Sequence, residues 1–327
     1  MPRFDLPLEE LRVYRPEVAE PDDFDAFWAE TLAESRALAG SPSFARVESP
    51  LSAVEVYDVS FSGFGGDTVV GWFIVPAGSD GPFPAVVEYQ GYGGGRGLPH
   101  EHLAWAASGF AYFVMDTRGQ GSSWGTGGST PDPHGVGASA PGFMTRGIES
   151  PGSYYYRRVF TDAVLAIEAV RSFEGIDGDR IAVSGTSQGG GIAIAAAALS
   201  EGVVAAMPNV PFLCHFERAV GMTDRLPYHE IVRYLSVHRD AAPRVFQTLA
   251  YFDGVNFAKR ATVPALFSVG LLDPVCPPST VFAARNHWDA SGRAGTPHIV
   301  EYAFNEHEGG AAAHWPRQHD WLAGRVG

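Results

Sequence analysis

Cysteine is almost missing from this sequence. The 327 residues include two, Cys214 and Cys276. They are too few for a disulfide framework and form no Cys-x-x-Cys pair, so both are expected to be reduced structural thiols. Basic residues are also scarce: 23 Lys and Arg face 37 Asp and Glu, a formal net charge of −14. That balance, with no basic run, excludes nucleic acid as a partner. No apolar run approaches the roughly 18 residues of a membrane span, and the opening MPRFDLPLEE lacks the apolar segment of a signal peptide. The expectation is a cytoplasmic protein with no membrane partner.

The cofactor motifs are missing too. Gly-x-Gly-x-x-Gly fails from Gly91, Gly93 and Gly95, where the last position is Arg96, Leu98 or His100. There is no Gly-x-x-x-x-Gly-Lys-Ser/Thr. His100-Glu101-His102 is not His-Glu-x-x-His, and His307 has no second histidine four residues on. No nucleotide, metal or other cofactor is expected.

What remains is an ordinary globular composition, 45% hydrophobic and 18% charged. Prolines at 2, 7, 16 and 21 suggest an extended arm over residues 1–20. Asp22 or Asp23 can cap a helix to about Leu38, with Phe24, Phe27, Trp28 and Leu32 as its apolar stripe. Residues 54–61 and 68–75 read as a hairpin around a turn at 63–67. Apolar strands are expected at 83–90, 111–116, 180–184, 204–209, 265–269 and 298–302. Between them lie helical patterns at 102–107, 155–172, 192–199 and 280–289, with a last helix at 314–324. This alternation predicts an α/β fold with a mostly parallel sheet, helices on both faces. About fifty residues, near 209–260, break the rhythm with helical patterns at 217–222, 228–236 and 242–252. They read as an insertion, either a cap or an oligomer contact, inside one domain.

The stretch Gly185-Thr186-Ser187-Gln188-Gly189 fits Gly-x-Ser-x-Gly between a strand and a helix, the setting of a nucleophile elbow. Ser187 is the candidate nucleophile. A serine hydroxyl needs a base, and the base needs a group to fix its tautomer. In an α/β hydrolase both follow the serine, acid first. Asp273 lies just past the strand at 265–269, before Pro274, and His307 just past the strand at 298–302. The other late histidines, His287, His298, His314 and His319, fall in helical or strand patterns. For the oxyanion, the backbone N–H of Gln188 is one donor. Tyr92, in the glycine-rich loop 91–97, is the second, its ring a pocket wall.

With those residues assembled, the chain resembles carbohydrate esterase family seven, the acetyl xylan esterases and cephalosporin C deacetylases. Arg118-Gly119-Gln120, Gly185-Thr186-Ser187-Gln188-Gly189 and His307-Glu308 match the family's three motifs, and Asp273 sits where its acid would. The resemblance implies deacetylation of short-chain esters such as sugar acetates, an acyl-enzyme on Ser187, no cofactor, and a homohexamer whose sites face an inner cavity. It implies that Pro227, in Leu226-Pro227-Tyr228, limits acyl size, and that Arg118, Gly119, Gln120 and Glu308 support the site. Two departures stand out: Gln90 where a histidine is expected, and the run Gly93-Gly94-Gly95. Two alternatives fit the same residues: another α/β hydrolase, such as a peptidase or broader carboxylesterase, and an inactive hydrolase-fold binding protein.

Overall fold

The computed structural model describes residues 4–135 and 137–326. Its strands are β1 (Ser43–Val47), β2 (Val54–Ser62), β3 (Thr68–Pro76), β4 (Phe83–Tyr89), β5 (Ala111–Met115), β6 (Ile176–Thr186), β7 (Val203–Asn209), β8 (Leu266–Gly270) and β9 (His298–Tyr302). They form a nine-stranded sheet in the order β1-β2-β3-β5-β4-β6-β7-β8-β9. From β5 to β9 every pairing is parallel; β1, β2 and β3 are joined antiparallel. The expected hairpin is β2–β3, in register from Val54 opposite Pro76 to Ser62 opposite Thr68. The parallel strands read as apolar runs because both faces are covered.

The helices are α1 (Leu8–Val13), α2 (Phe24–Ala37), α3 (Ala104–Ala107), α4 (Tyr155–Arg171), α5 (Gln188–Leu199), α6 (Phe216–Met222), α7 (His229–Val237), α8 (Ala242–Ala250), α9 (Gly254–Ala258), α10 (Pro278–His287) and α11 (Trp315–Val326). Helix α5, at the centre, shows no amphipathic stripe: Ile192 to Ala196 are all fully buried. It lies against β6 and β7 on one side and α4 and α9 on the other, the environment that an all-apolar helix requires.

Three expectations are corrected. The arm is not wholly extended, since α1 forms within it; residues 1–3, with Pro2, lie outside the described residues. Pro7 precedes the helix, where its missing N–H costs nothing, Glu9 and Glu10 suit the positive helix start, and Leu11 is buried. Asp23 stands at the N-cap of α2, yet its side chain makes no cap bond and instead accepts from the Tyr251 hydroxyl at 2.5 Å. The pattern at 102–107 shrinks to α3, because His102 turns away to bond the Arg96 carbonyl through Nε2 at 2.8 Å. Strand β1 and helix α9 went unanticipated; β1 is a mostly exposed edge strand with little apolar pattern.

Two chain excursions frame the top of the sheet. Between β5 and α4, the described residues 116–154 carry no helix or strand. Between β7 and β8, the insertion supplies α6, α7, α8 and α9.

Candidate active site

Strand β6 ends in a turn that places Ser187 at φ +59°, a left-handed conformation uncommon for a residue with a Cβ. The turn is fastened on both sides. Ser187 N–H donates to the Asn209 carbonyl at 2.9 Å, and the Ser187 carbonyl accepts from Phe212 N–H at 2.9 Å. Glycine is required at two positions here. A Cβ on Gly185 would strike the Gly189 backbone, and one on Gly189 would strike the Tyr89 carbonyl of β4.

Asp273 follows β8 and His307 follows β9, so neighbouring parallel strands deliver both to the serine. His307 Nδ1 lies 2.8 Å from Asp273 Oδ2, and Nε2 lies 2.9 Å from Ser187 Oγ. The carboxylate only accepts, so Nδ1 carries the proton and Nε2 is left to accept from the serine hydroxyl. Asp273 is fully buried, and its other oxygen, Oδ1, accepts from the N–H groups of Val275 and Cys276 at 2.8 and 2.9 Å. His307 is about a third exposed on its side chain. Glu308 closes the His307 loop on itself: it accepts from Glu306 N–H at 3.0 Å and from the Asn305 amide at 2.5 Å.

The backbone N–H groups of Tyr92 and Gln188 have no acceptor among the described residues. Two free donors beside a serine are what an oxyanion hole needs. Gln188's side chain is spent on scaffolding. Its Oε1 accepts from Tyr156 Oη and Gln120 Nε2, both at 2.9 Å, and its Nε2 donates to the Gln90 carbonyl at 3.1 Å. Gln90 thus anchors the loop through its backbone, so a histidine side chain is not required there. Gln120 Oε1 accepts from Gly93 N–H at 2.6 Å, and with its bond to Gln188 this ties the loop that carries Tyr92 to helix α5.

Arg118 does not reach the serine. It is fully buried and forks onto Asp162 of α4, Nε to Oδ2 at 2.6 Å and Nη2 to Oδ1 at 2.8 Å, with Asp67 of the hairpin turn 2.9 Å from Nη1. Gly119 stands at φ +68° and donates to the Thr130 carbonyl at 2.8 Å, which shapes the turn between Arg118 and Gln120.

A cleft of about 750 Å³ opens over Ser187, and Tyr92, Trp124, Leu226, Pro227 and Val275 give it an apolar lining. Pro227, expected to limit acyl size, is part of that lining. Sequence reasoning missed Glu230. It is 3% exposed and comes from α7 of the insertion; Oε1 accepts from Tyr92 Oη at 2.6 Å and Oε2 from Met144 N–H at 3.0 Å. Phe143 N–H donates to Tyr92 Oη at 2.5 Å. Burial pushes the Glu230 carboxyl above the usual range, opposed by these hydrogen bonds, and burial beside Glu230 pushes the Tyr92 phenol up. A hint lay in the sequence: Glu230 shares a helical stretch with Tyr228, Ile231 and Tyr234, all buried. Trp124 was missed as well. Asp273, Cys276 and His307 have potential ligand atoms within 4.8 Å of one another, but Asp273 and His307 are already hydrogen-bonded to each other. No helix is long and apolar enough to cross a membrane among the described residues.

The comparisons with known proteins agree with one another. The family described as Acetyl xylan esterase (AXE1) matches residues 1–325. Acetyl esterase Axe7A of Xylanibacter ruminicola is 29% identical over 280 residues, 83% of this chain and 61% of that protein. The chain thus spans about three fifths of that curated relative. Among solved structures, an acetyl xylan esterase from Paenibacillus sp. R4 is 39% identical with a TM-score of 0.92, covering 98% of this chain and 100% of that one. Acetyl xylan esterase 1 from Thermoanaerobacterium sp. JW/SL YS485 is 32% identical with a TM-score of 0.89, covering 98% and 99%. The α/β hydrolase GrgF from Penicillium sp. sh18, 17% identical with a TM-score of 0.55 over 83% of this chain and 99% of its own, shares the fold.

Proposed function

The chain belongs to the acetyl xylan esterase family, and from that premise we propose that it is a serine carboxylesterase that deacetylates sugar esters. Its substrates are O-acetylated xylan fragments and, by the same chemistry, small acetyl esters such as cephalosporin C. The observation that carries the reading is the unbroken hydrogen-bond chain Ser187–His307–Asp273 beside the backbone N–H groups of Tyr92 and Gln188, which have no acceptor among the described residues.

Ser187 Oγ attacks the acetyl carbonyl as His307 Nε2 takes its proton. Asp273, bonded to Nδ1, stabilises the imidazolium. The carbonyl oxygen becomes an anion held by the N–H groups of Tyr92 and Gln188. Collapse of the tetrahedral intermediate expels the alcohol, which leaves with the proton from His307. Water then attacks the acetyl-serine, gives its proton to His307, and acetate departs as Ser187 recovers its hydrogen. No step asks for a metal or a cofactor. Pro227 and Leu226 close the acyl side and favour short chains. Two buried free thiols suit the reducing cytoplasm. The assembly we propose is a homohexamer, as in the family the sequence resembles; a monomer by light scattering rejects it.

The test is turnover of p-nitrophenyl acetate by the wild type and Ser187→Ala. The variant should lose on the order of a million-fold in kcat, and retention of most activity rejects the assignment. Faster turnover of long-chain esters than of acetates would favour a broader carboxylesterase. Failure of Ser187 to react with a fluorophosphonate would favour an inactive binding protein.

A further inference from the structure

The glycine run at 93–95, a departure from the expected pattern, has a partner. Trp124, from the long excursion after β5, lies on the oxyanion loop. Its Nε1 donates to the Tyr92 carbonyl at 2.7 Å. A Cβ on Gly94 would run into the indole six-membered ring, and one on Gly91 would come within 3.2 Å of it. The glycines thus make a flat bed that fixes the ring. Despite this fixing, Trp124 is 52% exposed and lines the same cleft as Ser187.

A large aromatic side chain held rigid while half exposed is poorly explained as packing. The cleft's size points the same way. An acetyl group has three heavy atoms, comparable to two or three waters at about 30 Å³ each, while the cleft holds about 750 Å³. Most of it is left to the alcohol. Ser123 lines the cleft beside Trp124, its hydroxyl making no hydrogen bond among the described residues. A fixed apolar plate beside an open hydroxyl suits a ring that is apolar on its faces and hydroxylated at its edge.

We propose that Trp124 is the platform on which the pyranose ring of the leaving alcohol stacks, with Ser123 meeting one of its hydroxyls. This rests on the esterase reading above and adds the site for the sugar.

The experiment compares kcat/KM for per-acetylated methyl xyloside and for ethyl acetate, which has no ring, in the wild type, Trp124→Leu and Trp124→Phe. Leucine fills the bed without an aromatic face. It should lower the sugar-ester value about tenfold further than the ethyl acetate value. Phenylalanine loses the indole N–H but keeps a flat face, and should hold most of the selectivity. Methyl xyloside without acetyl groups should inhibit ethyl acetate hydrolysis by the wild type and do so about tenfold more weakly in Trp124→Leu. Equal falls for both substrates, or an unchanged inhibition constant, overturn the platform and leave Trp124 as a brace for the loop. A wild type inactive on both esters would instead overturn the esterase reading.

Discussion

Asp273 has both carboxylate oxygens bonded: Oδ2 to His307, Oδ1 to Val275 and Cys276. Asp273→Asn would keep this shape yet turn an amide N–H toward a neighbour that also donates. The imidazole would then hold its proton on the wrong nitrogen. We expect kcat on p-nitrophenyl acetate to fall about 10⁴-fold with a small change in KM, read by steady-state kinetics. Gly189→Ala is predicted to fail earlier, in folding. Its methyl would sit in the Tyr89 carbonyl, and overpacking of that kind costs about 1–3 kcal/mol or more, visible as a lower urea midpoint. The closeness of Ser187, Asp273 and His307 was legible because the chemistry restricts both residue type and chain order. Glu230 and Trp124 were not. An acid in a helix reads as a solvent-facing residue, and Trp124 falls in a stretch with no periodicity, where nothing local says what the ring will rest on.

At the scale of elements, Arg118 bolts three pieces together. It joins the end of the β5 segment to α4 through Asp162 and to the β2–β3 turn through Asp67. Its carbonyl accepts from Tyr155 Oη, which in turn meets Gln120. Burial pushes the Asp162 carboxyl up, and the guanidinium opposes it. Arg118→Met would strand Asp162 in the core. A loss of about 3–5 kcal/mol follows from breaking a buried pair, measured by urea unfolding, and Arg118→Met with Asp162→Leu should recover part of it. The parallel strands were legible as apolar runs with helices between them. Elements α1, α9 and β1 were not, since five or six residues hold too little pattern, and tertiary contacts decide them. Helix α1 forms where it can lie on α10.

At the scale of the whole molecule, two buried histidines make one contribution to stability that acid removes. His215 and His314 are buried, and burial pulls both down to about 4. His215 Nδ1 and His314 Nε2 find no partner among the described residues. The folded protein therefore keeps these rings neutral below the pH at which the unfolded chain protonates them, near 6.5. At these two rings the unfolded state binds more protons across that window, so their contribution to stability falls as pH drops from about 6.5 toward 4, while the buried Asp253 carboxyl, raised to about 6, opposes them. The melting temperature of His314→Gln should lose less between pH 6.5 and 4 than that of the wild type. A slope unchanged by the variant would place the acid sensitivity elsewhere. The Glu230 carboxylate is shared by three excursions from the sheet: its own insertion, the loop that carries Tyr92, and the segment that carries Met144. The helical insertion is therefore not an exchangeable module. A chimera that replaced it with a relative's cap but lacked an acid at this point would release Tyr92, and would lose turnover even if its substrate opening were the right shape.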